Sequence, residues 1–192
     1  MIFRPYHEFD GDWFWWGKAH CTTNEFTLLW RFTVAYLRDS LGVHNFIYAF
    51  SPDCKFNNEE EYLERYPGDD WVDMVGVDNY ADFGRNGKYN LERGIKLLKI
   101  VSDYARKTGK LAAFTETGLE SIPNATWWTG TLLKALKSEN IQLTYVLVWR
   151  NDIRSLTHYY APFPGQTSEA DFVKFYNDPY TLFENDLKKI YE

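Results

Sequence analysis

Five short apolar runs punctuate the chain, at residues 2–6, 45–50, 74–77, 111–114 and 143–149. Each has strand length and gives way to polar residues at its carboxyl end. Helical spacing fills the intervals. Thr22 and Glu25 form a capping box before a stripe of Phe26, Leu29, Trp30, Val34, Leu37 and Leu41, which Gly42 stops. A short helix is predicted over 58–66, ended by Pro67-Gly68. Asn90 caps a longer one carrying Leu91, Ile95, Leu98, Val101 and Tyr104, with Gly109 after its end. Another covers 126–137, and Asp178-Pro179 opens a last helix reaching Tyr191.

Strands alternating with helices predict parallel βα units, either an open doubly wound sheet or a barrel. The strand ends decide between them. They read Tyr6-His7-Glu8, Ser51-Pro52-Asp53, Asp78-Asn79-Tyr80, Thr115-Glu116-Thr117 and Trp149-Arg150-Asn151-Asp152. Chemistry at every strand end is the pattern of a barrel's functional face, whereas an open sheet gathers ligand groups at one switch point. No glycine-rich dinucleotide or phosphate loop is present. The expected fold is therefore α/β, a (β/α)8 TIM-barrel type left incomplete, since a full barrel takes about 250 residues. One domain is expected over 1–192, with no internal repeat or linker. Phe3, Val75 and Val146 are expected to line the barrel. The first and last strands would be unpaired apolar edges, an association hazard.

Aromatic residues make up 19% of the chain, with 8 Trp, 14 Tyr and 14 Phe, an excess that favours packing against flat sugar faces. The net charge of −6 excludes a nucleic-acid surface built on clustered Lys and Arg. No run of 18 apolar residues predicts a membrane span, and residues 1–20 lack the pattern of a signal peptide. Cys21 and Cys54 are expected as free thiols. His20, His44 and His158 share no metal-ligand spacing, so neither metal nor cofactor is expected. Ser51 and Ser155 lack the strained elbow of a hydrolase serine.

Two carboxylates stand out. Glu8 and Glu116 close separate strands amid aromatic residues, the arrangement that acid-assisted displacement at a sugar carbon needs. Glu120, in the same loop as Glu116 but beyond Gly118, reads as a solvated charge.

The segments RPYHEFDGDWFWWG (4–17), VDNY (77–80), FTETG (114–118) and VWRN (148–151) together resemble the catalytic strand ends of glycoside hydrolase family 26. That family is chiefly β-1,4-mannanases on a (β/α)8 barrel. The resemblance implies that the chain spans strands four to eight, with three N-terminal βα units absent. It implies Glu8 as general acid/base, Glu116 as nucleophile and His7 as a sugar contact or a support for its neighbour. Tyr80 would hold the nucleophile, Trp13 would floor the subsite beside the cleaved bond, and Trp149 would lie beneath the sugar that becomes attached. Arg4 and Asp78 would support the site. Of Trp15 and Trp16, one is expected in the cleft and the other inward; Trp30, Trp71, Trp127 and Trp128 are assigned to packing.

The implied activity is a retaining endo-β-1,4-mannanase acting on mannan, galactomannan or glucomannan by double displacement. The alternatives are a mixed-linkage β-glucanase, a β-1,3-xylanase, or a truncated carbohydrate-binding pseudoenzyme. The expected partner is a polysaccharide, and the location secreted, periplasmic or cell-surface. The open edges would call for self-association or a complementing N-terminal segment.

Overall fold

The computed structural model describes residues 1–187. Strands β1 (Ile2–Phe3), β2 (Ile47–Phe50), β3 (Met74–Asp78), β4 (Leu111–Thr117) and β5 (Tyr145–Val148) form one five-stranded sheet in chain order, every pair parallel. The order never reverses, so there is no switch point, and the sheet curls as part of a barrel. β1 and β5 each have one strand neighbour among the described residues, which leaves Ile2 and Leu147 partly open to solvent.

The pleat sends alternate side chains to opposite faces of the sheet. Phe50, Val75, Val77 and Phe114 join Phe26, Trp30, Leu97, Leu98 and Val101 in one large cluster between sheet and helices. Ala49, Met74 and Ala113, with Ile47 and Tyr145 against them, make a small cluster on the inner face. The expectation that Phe3, Val75 and Val146 line the barrel is thus overturned: Val75 is part of the large helix-side cluster, and the partly buried Phe3 and Val146 pack against it.

The helices follow their caps. Helix α1 (Thr23–Ala35) starts with the capping box of Thr22 and Glu25 and buries Phe26, Trp30 and Val34. A wider turn (Tyr36–Ser40) continues it, and Leu41, expected in the stripe, is exposed. Helix α2 (Glu59–Tyr62) is capped by Asn58 but is shorter than predicted. Helix α3 (Leu91–Thr108) runs from the Asn90 cap to Gly109 in the left-handed region. The stretch predicted over 126–137 is a wide turn (Trp128–Leu133) leading into helix α4 (Lys134–Leu136). Trp30, Trp127 and Trp128 are core, as assigned.

Helix α5 (Glu169–Tyr176) was not anticipated. Its buried Asp171 accepts from Thr129 N–H at 3.0 Å and Thr129 Oγ1 at 2.6 Å, while Trp128 Nε1 donates to Ser168 Oγ at 3.1 Å. These contacts dock it on the Trp127-Trp128 turn. The helix predicted from Asp178 is absent up to residue 187, where a turn and a short 3-10 segment (Glu184–Asp186) stand instead; its remainder lies outside the described residues.

Candidate active site

The site forms where three strands end and one slips register. Val77 pairs with Phe114, but Asp78 pairs with Glu116 rather than with Thr115. Such a bulge re-aims side chains. Here both Thr115 and Glu116 are buried, and both connect to the same polar group. Ser51 Oγ lies 2.7 Å from Thr115 Oγ1 and donates to Asp78 Oδ1 at 2.7 Å. Arg4, reaching over from beyond β1, donates to Asp78 Oδ2 at 2.6 Å and also to Glu116 Oε1. Tyr80 Oη donates to the other oxygen, Glu116 Oε2, at 2.9 Å.

One guanidinium thus joins two buried carboxylates. Burial alone would lower the Arg4 pKa, yet Asp78 and Glu116 together hold it raised. Burial pushes the Asp78 carboxyl up, with Arg4 opposing. Burial, and then the charge of Glu116, push the Tyr80 hydroxyl up, so it stays a donor throughout the useful pH range. His7 Nε2 stands 4.0 Å from Glu116 Oε1. Burial and Arg4 lower its pKa against the pull of Glu116, so the neutral ring dominates at neutral pH. His7, Asp78 and Glu116 place one ligand atom each within 4.8 Å of one another. The Arg4 guanidinium already pairs with both of those carboxylates and occupies the place a cation would take.

Glu8 is presented differently. β1 ends at Phe3, short of the predicted 6, because Tyr6 and Glu8 take left-handed backbone conformations with φ of 51° and 53°. Non-glycine residues there carry strain that the surroundings must hold. The Glu8 N–H donates to Ser51 O at 2.9 Å, and Gly11 N–H returns to Glu8 O at 3.0 Å. Its side chain accepts from Trp13 Nε1 at 2.8 Å. Burial raises the Glu8 pKa most; the Trp13 bond lowers it, and the charges of Asp53 and Glu116 raise it further.

The glycines of the 4–17 segment are explained by close approach. A Cβ on Gly17 would fall 2.4 Å from Gly11 O, and one on Gly11 would fall 2.4 Å from the Trp13 ring. Gly11→Ala is therefore expected to push the half-exposed Trp13 off Glu8 with little loss of stability. Breaking that hydrogen bond corresponds to a roughly tenfold fall in turnover at most. Thermal melting together with kcat/KM separates this outcome from general unfolding.

Trp13 stands 48% exposed, with Lys55 Nζ 4.5 Å from its ring centre. Trp15 points outward, 65% exposed, while Trp16 packs inward and donates Nε1 to His7 O at 2.9 Å. Trp149 follows β5, its N–H on Thr117 O at 3.0 Å, with a half-buried ring that joins neither hydrophobic cluster. Arg4, His7, Asp78, Tyr80 and Glu116 therefore form one cluster. Glu8 with Trp13 lies beside it on one flank, and Trp149 is one strand away on the other. Glu120 is exposed but not merely solvated: its Oε1 is 2.8 Å from His158 Nδ1. Cys21 and Cys54 are unpaired, and burial pushes the Cys54 thiol up to about 12. Asp10 and Lys55 were not singled out, Thr115 was read only as part of a strand end, and Ser51 was weighed only as a hydrolase nucleophile and set aside. The two-residue period of the strands, which puts Ser51 and Thr115 on the face of Asp78's carboxylate, was the available signal.

A curled parallel sheet presenting two carboxylates among aromatic rings at its carboxyl ends has the makeup of a barrel-type glycoside hydrolase. The sequence profile of glycosyl hydrolase family 26 matches residues 1–154, and the chain belongs to that family. A mannan endo-1,4-beta-mannosidase of Bifidobacterium adolescentis is 38% identical over 190 residues, covering 91% of this chain and 19% of that protein. The solved structure of GH26C from Muricauda sp. matches with a TM-score of 0.92 and 44% identity, over 100% of this chain and 52% of the other. A GH26 beta-mannanase from Bacteroides ovatus gives 0.90 and 46%, over 100% and 54%. The chain thus spans about half the length of these solved relatives.

Proposed function

We propose that this chain carries the catalytic face of a retaining endo-β-1,4-mannanase, as one domain over 1–192 that supplies strands four to eight of a (β/α)8 barrel. The observation that carries the reading is the contrast between the two glutamates. Glu116 is fixed by donors on both oxygens, Arg4 and Tyr80, as a nucleophile requires. Glu8 beside it is pushed up by burial, as a proton donor requires. Substrate lies across the strand ends, over Trp13 on one side and Trp149 on the other, with His7 against a sugar hydroxyl.

Glu8 gives its proton to the glycosidic oxygen as that bond breaks, and Glu116 Oε bonds to the anomeric carbon. Glu8, now ionised, takes a proton from water, whose oxygen displaces Glu116 and restores both groups with net retention. Arg4 and Tyr80 hold the Glu116 carboxylate through both steps. The remaining strands come from further polypeptide, from a complementing segment, or from self-association at the open edges. Because polymeric mannan does not enter cells intact, the enzyme works outside the cytoplasm, secreted, periplasmic or on the cell surface. No helix among the described residues is long and apolar enough to cross a membrane.

A mechanism-based fluoromannoside applied to the completed barrel is expected to label Glu116; label on another carboxylate would remove the role assignment. A panel of mannan, mixed-linkage β-glucan and β-1,3-xylan fixes the substrate. Mannan binding without turnover would indicate a binding protein instead. The raised Glu8 pKa sets a further expectation. The proton donor keeps its proton, and so stays neutral, to higher pH than an ordinary glutamate, so the alkaline limb of kcat/KM lies above about 4.5. A limb at or below that value, measured from pH 3 to 9, would contradict the assignment.

A further inference from the structure

Asp10 sits two residues past Glu8, and its carboxylate turns to the loop that follows β2. Oδ1 accepts Asp53 N–H at 2.7 Å, and Oδ2 accepts Lys55 N–H at 3.2 Å. The same loop holds the Glu8 backbone through Ser51 O. Lys55, fixed at its backbone by Asp10, lays its ammonium 4.5 Å from the centre of the Trp13 ring. The bare Cα of Gly11 makes room for that ring, and Trp13 Nε1 reaches Glu8 Oε2 at 2.8 Å. A half-exposed tryptophan on a strained loop has no packed core to orient it, and these contacts do so instead.

We propose that Asp10 is a positioning residue for the proton donor: by fixing Lys55 it fixes Trp13, and by fixing Trp13 it sets the hydrogen bond that Glu8 receives. This rests on reading Glu8 as the acid/base. The idea makes a directional claim. The Trp13 bond is an influence that lowers the Glu8 pKa, so losing it moves Glu8 upward. Had Asp10 acted instead as a nearby negative charge, its removal would move Glu8 downward.

The test is a carboxyl-carbon NMR titration of Glu8 in the full 192-residue chain, labelled on glutamate only. Selective labelling keeps Asp10 itself, pushed up to about 7 by burial and then by Asp53, out of the spectrum. Trp13→Phe and Asp10→Ala are each expected to raise the Glu8 pKa by roughly half to one unit. The double variant is expected to shift no further than Trp13→Phe alone. Asp10→Asn preserves shape and one acceptor, so it shifts less in the same direction and decides the matter if Asp10→Ala fails to fold. An unchanged or lowered Glu8, or shifts that add in the double variant, would overturn the proposal. No turnover is read in this experiment. An inactive wild-type barrel would therefore count against the proposed function alone, and a null titration against Asp10 alone.

Discussion

Replacing Glu116 with alanine is expected to lower kcat in the completed barrel by at least about 10⁴-fold, a loss of the size seen when a covalent nucleophile is removed. Glu116 is 4% exposed and held by two donors, so no other carboxylate of the cluster is free to take its place. Asp78 is buried beneath it and committed to Arg4 and Ser51. Azide added to Glu116→Ala should restore turnover by entering the vacated space and attacking the anomeric carbon from the same side, giving the α-mannosyl azide. Azide added to Glu8→Ala should instead give the β-azide, because there Glu116 has already formed the first bond and azide reverses it in place of water. Proton NMR of the products distinguishes the two. The same anomer from both variants would refute the division of roles.

How far the sequence reached can be judged residue by residue. Alternation of apolar runs, the Thr22 and Asn90 caps and the polar strand ends led to parallel units in chain order, because these signals are local. The faces of the strands were misjudged at Phe3, Val75 and Val146. Period-2 alternation says that two faces exist, but not which lies against helices, and that is settled by the way the sheet curls. Helix α5 escaped because its anchor is tertiary: Asp171 is tied to Thr129, 42 residues away. The carboxylates were legible as residue types at strand ends. Their wiring was not, since the slip that pairs Asp78 with Glu116 and the left-handed backbone of Glu8 are settled by packing.

That wiring makes Arg4 the second position of large expected effect. Arg4→Met keeps length and apolar stem but deletes the guanidinium between Asp78, which is fully buried, and Glu116. Removing one partner of a buried ion pair leaves an uncompensated charge and costs about 3–5 kcal/mol. The pH dependence gives the cause away. Without Arg4 the Asp78 carboxyl, already raised by burial, loses the charge that opposes that rise, and its folded pKa climbs further above its unfolded one. A group shifted in that direction favours the folded state below its unfolded pKa and loses that advantage as pH rises through the folded one. The deficit of Arg4→Met relative to wild type should therefore be small near pH 4 and grow toward pH 8, as measured by urea unfolding at several pH values. A deficit that is constant with pH would mean that Arg4 matters through packing of its stem alone. Arg4→Lys separates the two contributions further. One ammonium supplies the charge but not the fork that reaches two carboxylates at once, so stability should return in part while Glu116, held then by Tyr80 alone, stays poorly oriented. Partly recovered stability with kcat still depressed is the expected signature of a side chain that both offsets the buried charge and aims the nucleophile.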